Sequence, residues 1–355
     1  MRRRDLLTLG ATGLAAPALG SSAAAVDMLG QAVVLTRPPR RILLAEASDL
    51  IPLALAHEDP LALIAGWSAA ERLGGNGLLQ ALQSRHPEAA AIPWVGGMAA
   101  DSFSLERALD LRPDLVVLTA YQEPGLADGP LTRAFRRAGA AVVFSTAPGD
   151  GDADHARRLR LFGAIAGRPD RAEAFLSFSA ARRAEIGAAL QGATPTSVFV
   201  HFYADPGAPC CMTTGLPRWQ RFLRATGGIA VPPLSSLAQI AVSPEDILLV
   251  QPEVVVAART LIPPADRASA DSFALASLRQ RPGLQGLHAV ARQRLHGVWA
   301  GLGEQPIDLL LIAAMAHWLH PSRIPAALPG ELLTVLRRDF IAVPLEGRFW
   351  SDLHG

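Results

Sequence analysis

The chain has 355 residues, half of them hydrophobic, and its 33 basic and 32 acidic residues leave a net charge of +1. That near-balance excludes a nucleic-acid binder, which would carry a clustered positive excess. The length suffices for two domains of ordinary size, and after the first residues no apolar run approaches the ~20 needed to span a bilayer.

Met1-Arg2-Arg3-Arg4 is followed by LLTLGATGLAAPALG and the small-residue stretch SSAAA. A basic start, a short apolar middle and an Ala-x-Ala exit describe a secretory signal over residues 1–25. The order Arg3-Arg4-Asp5-Leu6-Leu7 resembles a twin-arginine signal, which exports folded proteins; an ordinary Sec signal with a basic head is the other reading. Cleavage is expected after Ala25. No cysteine stands near that junction to carry a lipid, so the expected product is an exported periplasmic protein without membrane insertion.

Residues 26–151 read as a first α/β lobe. RILLAE (41–46), ALIAGW (62–67), DLVVL (114–118) and AAVVFS (140–145) are β-type runs, apolar throughout, as in parallel strands buried on both faces. Helical patterns lie between them, and alternation of the two argues for α/β architecture. From residue 152 to 192 the pattern is helical without a β-type run, and Pro169 suits the first turn of a helix reaching about Leu190. At ~1.5 Å per residue, some twenty residues extend roughly 30 Å, a stiff connector between halves. Residues 193–355 then repeat the α/β pattern with SVFVHF (197–202), EVVVAA (253–258) and RLHGVWA (294–300).

One sentence is written twice. SLERALDLRPDLVVL (104–118) and SPEDILLVQPEVVVA (243–257) align serine, glutamate, apolar positions, proline, acid and Val-rich run in register. Each copy reads as a helix followed by a strand: Ser104 and Ser243 as N-caps, Pro244 at the first helical position, Pro113 and Pro252 leading into the strand. One copy per half suggests pseudo-symmetric lobes, although helix-Pro-acid-strand is also a common α/β idiom.

VDMLGQAVVLTRPPRRILLAE, DSFSLERALDLRPDLVVL, PCCMTTG with FLRATGGIAV, SPEDILLVQPEVVV and LHGVWAGLGEQPIDLLLIAAMAHWLHPSRIP, in that order, resemble the periplasmic substrate-binding proteins of iron-siderophore and vitamin B12 importers. The resemblance covers nearly all of residues 26–355. It implies two α/β lobes joined by a single long rigid helix, a metal chelate held in the cleft between them, and less movement than in hinge-type binding proteins. It also implies one exposed glutamate per lobe that pairs with arginines of the membrane permease of an ABC transporter. The matching positions are Glu106 and Glu245, with Asp101 and Asp246 nearby. Two such carboxylates would set orientation as well as attraction; they would equally complement their own helix N-termini. The family often carries a Tyr-Asn-Ser-Pro type stretch where this chain has Gly303-Glu304-Gln305-Pro306, so ligand identity is not carried over.

Ligands in open α/β sheets gather beyond the carboxyl ends of the strands. Those loops nominate Glu46, Ser48 and Asp49, Trp67 and Ser68, and Tyr121 and Gln122 in the first lobe. From the second come His201 and Tyr203, Arg259, and Trp299, Glu304 and Gln305. Ferric chelates are commonly anionic and aromatic, which suits arginine, tyrosine and tryptophan. A tryptophan there serves packing equally well. The expected ligand is a ferric siderophore complex, with haem, cobalamin or a bare metal ion as alternatives; no resident cofactor is expected, and the protein is expected to act as a monomer.

Cys210 and Cys211 are the only cysteines. In an oxidising compartment an adjacent pair forms a vicinal disulfide or stays as two thiols, and it reads as structural, shaping a loop near the cleft. His155, His201, His288, His296 and His317 show no spacing that asks for a bare-metal site. The rival class is a twin-arginine-exported enzyme. No dinucleotide fingerprint, phosphate loop, nucleophile elbow or iron–sulfur cysteine set supports it.

Overall fold

The structure, a computed structural model, describes residues 25–35, 37–69, 73, 78–97, 102–120, 122–123, 126–147, 154–202, 210–233, 240–260, 273, 275–282 and 284–352. Residues 1–24 of the expected signal, together with Asp101, Tyr121 and Tyr203, lie outside these residues.

Two short antiparallel strands, β1 (Ala25–Val26) and β2 (Ala32–Val33), precede the first sheet. That sheet is built from β3 (Ile42–Leu44), β4 (Ile64–Ser68), β5 (Trp94–Gly96), β6 (Leu115–Leu118) and β7 (Ala141–Phe144). Its order is β5-β4-β3-β6-β7, all parallel. Helices α1 (Leu50–Ala56), α2 (Leu78–Arg85), α3 (Leu105–Asp110) and α4 (Pro130–Arg137) make the crossovers. Residues of alternate parity along β3 and β6 face opposite layers. Ile42, Leu44, Leu115 and Val117 join the main core, whereas Leu43, Val116 and Leu118 pack with Ala108, Phe135 and Phe144. Burial on both faces is why these runs carry no polar alternation.

The second sheet contains β8 (Thr196–Phe202), β10 (Gly228–Ala230), β12 (Val254–Arg259), β13 (Leu295–Trp299) and β14 (Trp350–Asp352). Its order is β10-β8-β12-β13-β14, parallel except for the final β14. A two-stranded sheet of β9 (Met212–Thr213) and β11 (Ile240–Ala241) stands beside it. The lobe's helices are α7 (Pro217–Ala225), α8 (Pro244–Val250), α9 (Leu275–Gln280), α10 (His288–Ala291), α11 (Leu309–Leu319) and α12 (Leu328–Asp339).

Between the sheets run α5 (His155–Ile165) and the 21-residue α6 (Pro169–Ala189). Pro169 occupies the first turn of α6, Asp170 complements its positive end, and Gly192, at φ +67°, follows its C-terminus. Ala172, Phe175, Ser179 and Ile186 form its buried stripe. Gly163 sets the approach of α5 to α6, because a Cβ there would lie 2.8 Å from the Cβ of Ala172. One apolar core runs from Leu44 and Ala54 of the first lobe through Phe162 and Phe175 to Phe222 and Leu311 of the second. The Ala342 amide also donates to the Ala54 carbonyl at 3.0 Å. The lobes therefore share an interior.

The two copies of the repeat occupy equivalent places. α3 leads into β6 and α8 into β12, each the strand that joins its lobe's first strand on the side where the strand order reverses. Ser104 and Ser243 cap these helices by accepting from the amides of Arg107 and Asp246. Arg112 and Gln251, in register with each other, both take left-handed backbone, φ +46° and +43°, just before the prolines. The acids that follow are also matched. Asp114 accepts from the amides of Arg40 and Arg41 at 2.9 and 3.0 Å, and Glu253 from the amide of Ser197 at 2.9 Å. Each acid thus ties its strand to the beginning of its lobe's first sheet strand, β3 or β8.

Candidate ligand-binding cleft

Strand order reverses between β3 and β6 in the first lobe and between β8 and β12 in the second, the places where crevices open beyond carboxyl ends. At the first reversal Gln122 Nε2, after β6, donates to the carbonyl of Ala45, after β3, at 3.1 Å. Ser48 donates to Glu46 at 3.0 Å, and Ser68 to the Gly97 carbonyl at 3.2 Å. In the second lobe His201 ends β8, Arg259 ends β12 and Trp299 ends β13, where its indole N–H donates to the Thr260 carbonyl at 3.1 Å.

A buried charge network joins these two ends. Asp49, wholly buried after β3, accepts from the Ser145 hydroxyl at 2.7 Å and pairs with Arg158 of α5. The other arm of Arg158 reaches the Glu304 carbonyl beyond β13 at 2.8 Å. One step away, His155 Nε2 lies 3.2 Å from the Gly303 carbonyl and 3.7 Å from Asp308. Asp308 also pairs with Arg183 of α6 and lies 3.9 Å from Arg221 of α7, while Arg218 pairs with Glu304 at 2.9 Å. Burial drives the His155 pKa down to about 4; Asp308 opposes the shift, and Arg158 and Arg221 reinforce it. His155 is consequently neutral near pH 7, held as a hydrogen-bonding group.

The nominated side chains within the described residues are buried, apart from half-buried Glu304. Trp67 and Trp299 sit in the apolar core, 0% and 3% exposed, because their rings fill the space under the loops. Arg259 is 1% exposed. These residues therefore lie closed to solvent beneath the strand-end loops. Several polar atoms near these strand ends have no hydrogen-bond partner among the described residues: Trp67 Nε1, Thr119 Oγ1 and Gln122 Oε1 in the first lobe, Gln305 Oε1 in the second. Buried polar atoms are rarely left so. His155, Arg158, Arg183, Arg221 and Asp308 were not legible as site residues, and neither was Thr119. The signal for the first two was a histidine and an arginine three apart on the apolar face of a helix capped by Asp154.

A sequence profile described as periplasmic binding protein matches residues 42–297, more than half of the chain. The chain belongs to the periplasmic binding protein family. It is thus a substrate-binding protein of the type that serves ABC importers. No curated protein sequence matches this binding protein closely enough to refine that assignment. Among solved structures it is similar to the TroA-like periplasmic binding protein FepB from Veillonella parvula. That TM-score is 0.78 at 18% identity, over 93% of this chain and 99% of that one. An ABC-type Fe3+-hydroxamate transport system structure from Saccharomonospora viridis gives 0.61 at 19% identity, over 84% and 99%. A periplasmic heme binding protein from Pseudomonas aeruginosa gives 0.57 at 23% identity, over 80% and 94%. At these identities the likeness establishes the two-lobed fold with its connecting helix. Within the described residues, no helix of the binding protein is long and apolar enough to cross a membrane.

The structure pairs Cys210 and Cys211 in a vicinal disulfide across a cis peptide bond. The pair lies beside β9, and Cys211 exchanges two backbone hydrogen bonds with Val242, at 3.2 and 2.8 Å. Glu106 and Glu245 are both exposed in the first turns of α3 and α8.

Proposed function

We propose that this binding protein captures a ferric siderophore in the crevice between its lobes and delivers it to the permease of an ABC importer in the inner membrane. The observation that carries this reading is the set of unpartnered buried polar atoms, Trp67 Nε1, Thr119 Oγ1, Gln122 Oε1 and Gln305 Oε1, flanking the Asp49–Arg158–Glu304 bridge. Polar groups beyond the carboxyl ends of strands in both sheets suit one ligand touched from both sides. Similarity to the Fe3+-hydroxamate transport structure favours iron chelates. Haem is the second reading, favoured by the similarity to the Pseudomonas aeruginosa protein. Glu106 and Glu245, exposed at equivalent helix starts, are the proposed docking carboxylates, and the protein acts by binding, without turnover.

The test is a titration of the purified, signal-free chain with ferric hydroxamate, catecholate and carboxylate siderophores, haem and cobalamin. Intrinsic tryptophan fluorescence and thermal unfolding are followed together. A saturable response to one ferric siderophore, with a rise in Tm, is expected; a ligand at 100-fold its Kd adds about 2.7 kcal/mol. Response to haem or cobalamin alone replaces the siderophore reading. Steady chemical turnover of any of them overturns the carrier reading.

A further inference from the structure

The vicinal cysteines are not alone. His201, fully buried at the end of β8, faces them: one imidazole nitrogen and both sulfurs lie within 4.8 Å of one another. The sequence presents two sulfurs with His201 the only histidine close by, too few ligands to favour more than a structural role; the fold brings that imidazole to the sulfurs. His201 Nδ1 lies 3.2 Å from the carbonyl of Met212. A carbonyl only accepts, so Nδ1 carries the proton and Nε2 bears the lone pair. A neutral imidazole oriented through its other nitrogen is the usual arrangement of a metal-ligating histidine. Cys211 is held equally firmly, by its two backbone bonds to Val242. It is 2% exposed, while Cys210 is half-buried and gives access from outside.

We propose that His201, Cys210 and Cys211 form a redox-gated site for a soft d10 cation, monovalent copper in preference to zinc. In the disulfide the sulfurs carry no thiolate charge and the site is closed. A dithiol donor opens it by exchange: its two electrons break the Cys210–Cys211 bond, each sulfur takes a proton, and the donor leaves as its own disulfide. The cation then displaces both thiol protons to solvent and accepts two thiolates and the imidazole. Ligands at about 2.0–2.3 Å from one ion lie within roughly 4 Å of each other, and the three ligand atoms here lie within 4.8 Å of one another. Thiolates select copper(I) or zinc. The three ligands match the number a trigonal copper(I) ion takes, whereas zinc is almost always four-coordinate. The site stands at the carboxyl end of β8 and does not depend on which chelate the protein carries.

The experiment compares one chain in two oxidation states. The signal-free protein is reduced anaerobically with a phosphine, full reduction is verified by two iodoacetamide adducts on an aliquot, and copper(I) is titrated in competition with bicinchoninate. The reduced chain is expected to take one equivalent and the oxidised chain none. Cys210→Ser, Cys211→Ser and His201→Gln are each expected to weaken binding at least about 100-fold. X-ray absorption at the copper edge should show two sulfur neighbours and one nitrogen. Since His201→Gln can disturb folding, reduced wild-type chain blocked with iodoacetamide serves as a second control and is expected to bind no copper. Equal uptake by both oxidation states, no uptake after verified reduction, or uptake that survives Cys211→Ser overturns the site; tighter binding of zinc than copper overturns the choice of ion. None of these outcomes bears on the siderophore titration, which is done on the oxidised chain.

Discussion

Asp49 and Arg158 form an ion pair closed to solvent, 0% and 3% exposed, between the first sheet and the connecting helices. Neither charge can be solvated if the other is lost, because Arg158 is fixed at its far end by the Glu304 carbonyl. Asp49→Ala is therefore expected to cost about 3–5 kcal/mol, the range for orphaning a buried charge. Replacing both residues by apolar ones of similar volume is expected to restore much of that loss. Urea unfolding of the two variants checks the contrast; equal losses would show that the pair acts through packing alone.

His155 makes the protein acid-sensitive in a defined window. The unfolded chain protonates this histidine near pH 6.5, the folded chain only near pH 4. Between those values the unfolded state binds more protons, so stability falls as pH is lowered, by at most about 1.4 kcal/mol per pH unit from this group. His155→Gln is expected to flatten that part of the profile, measured by denaturant unfolding at intervals from pH 7 to pH 4.

Gly163 is the contact point of α5 and α6, and the facing group is the rigid Cβ of Ala172 with the Pro169 backbone behind it. Gly163→Leu is expected to destabilise by about 1–3 kcal/mol through overpacking. At Gly187, on the long helix α6, an added methyl group would meet nothing within 4 Å, so Gly187→Ala is expected to stabilise slightly. Thermal unfolding of both variants separates the effects.

Glu106 and Glu245 are exposed, and changes there are expected to alter stability by no more than about 0.5 kcal/mol. Reversing both to arginine is expected to abolish uptake in cells while leaving chelate affinity in solution unchanged. Uptake that persists in the double variant removes these residues from the docking surface.

Much of the scaffold is readable in the sequence, for reasons visible in particular residues. Val254–Arg259 and Thr196–Phe202 are central strands, so both faces are apolar and the run announces itself. Trp94–Gly96, Gly228–Ala230 and Trp350–Asp352 are not readable. Each is three residues at the margin of a sheet, with Trp94 38% and Ile229 53% exposed, and pairing rather than composition makes them strands. The repeat is readable because its proline, acid and cap perform the same local tasks in both lobes. The candidate site is legible only in part: strand ends point to Gln122 and Gln305, but Arg158 is charged on an apolar helix face. Its meaning depends on Asp49, far away in the chain.

A single interior threaded by α6 also limits how this carrier can report that it is full. A shared interior is expected to restrain any swing of one half against the other, so the outline shown to the transporter is expected to change little on loading, and a receptor can discriminate two forms only as far as they differ in contact energy. Empty copies then compete with loaded ones for the same membrane partner. Uptake is accordingly expected to slow when the carrier greatly outnumbers its cargo.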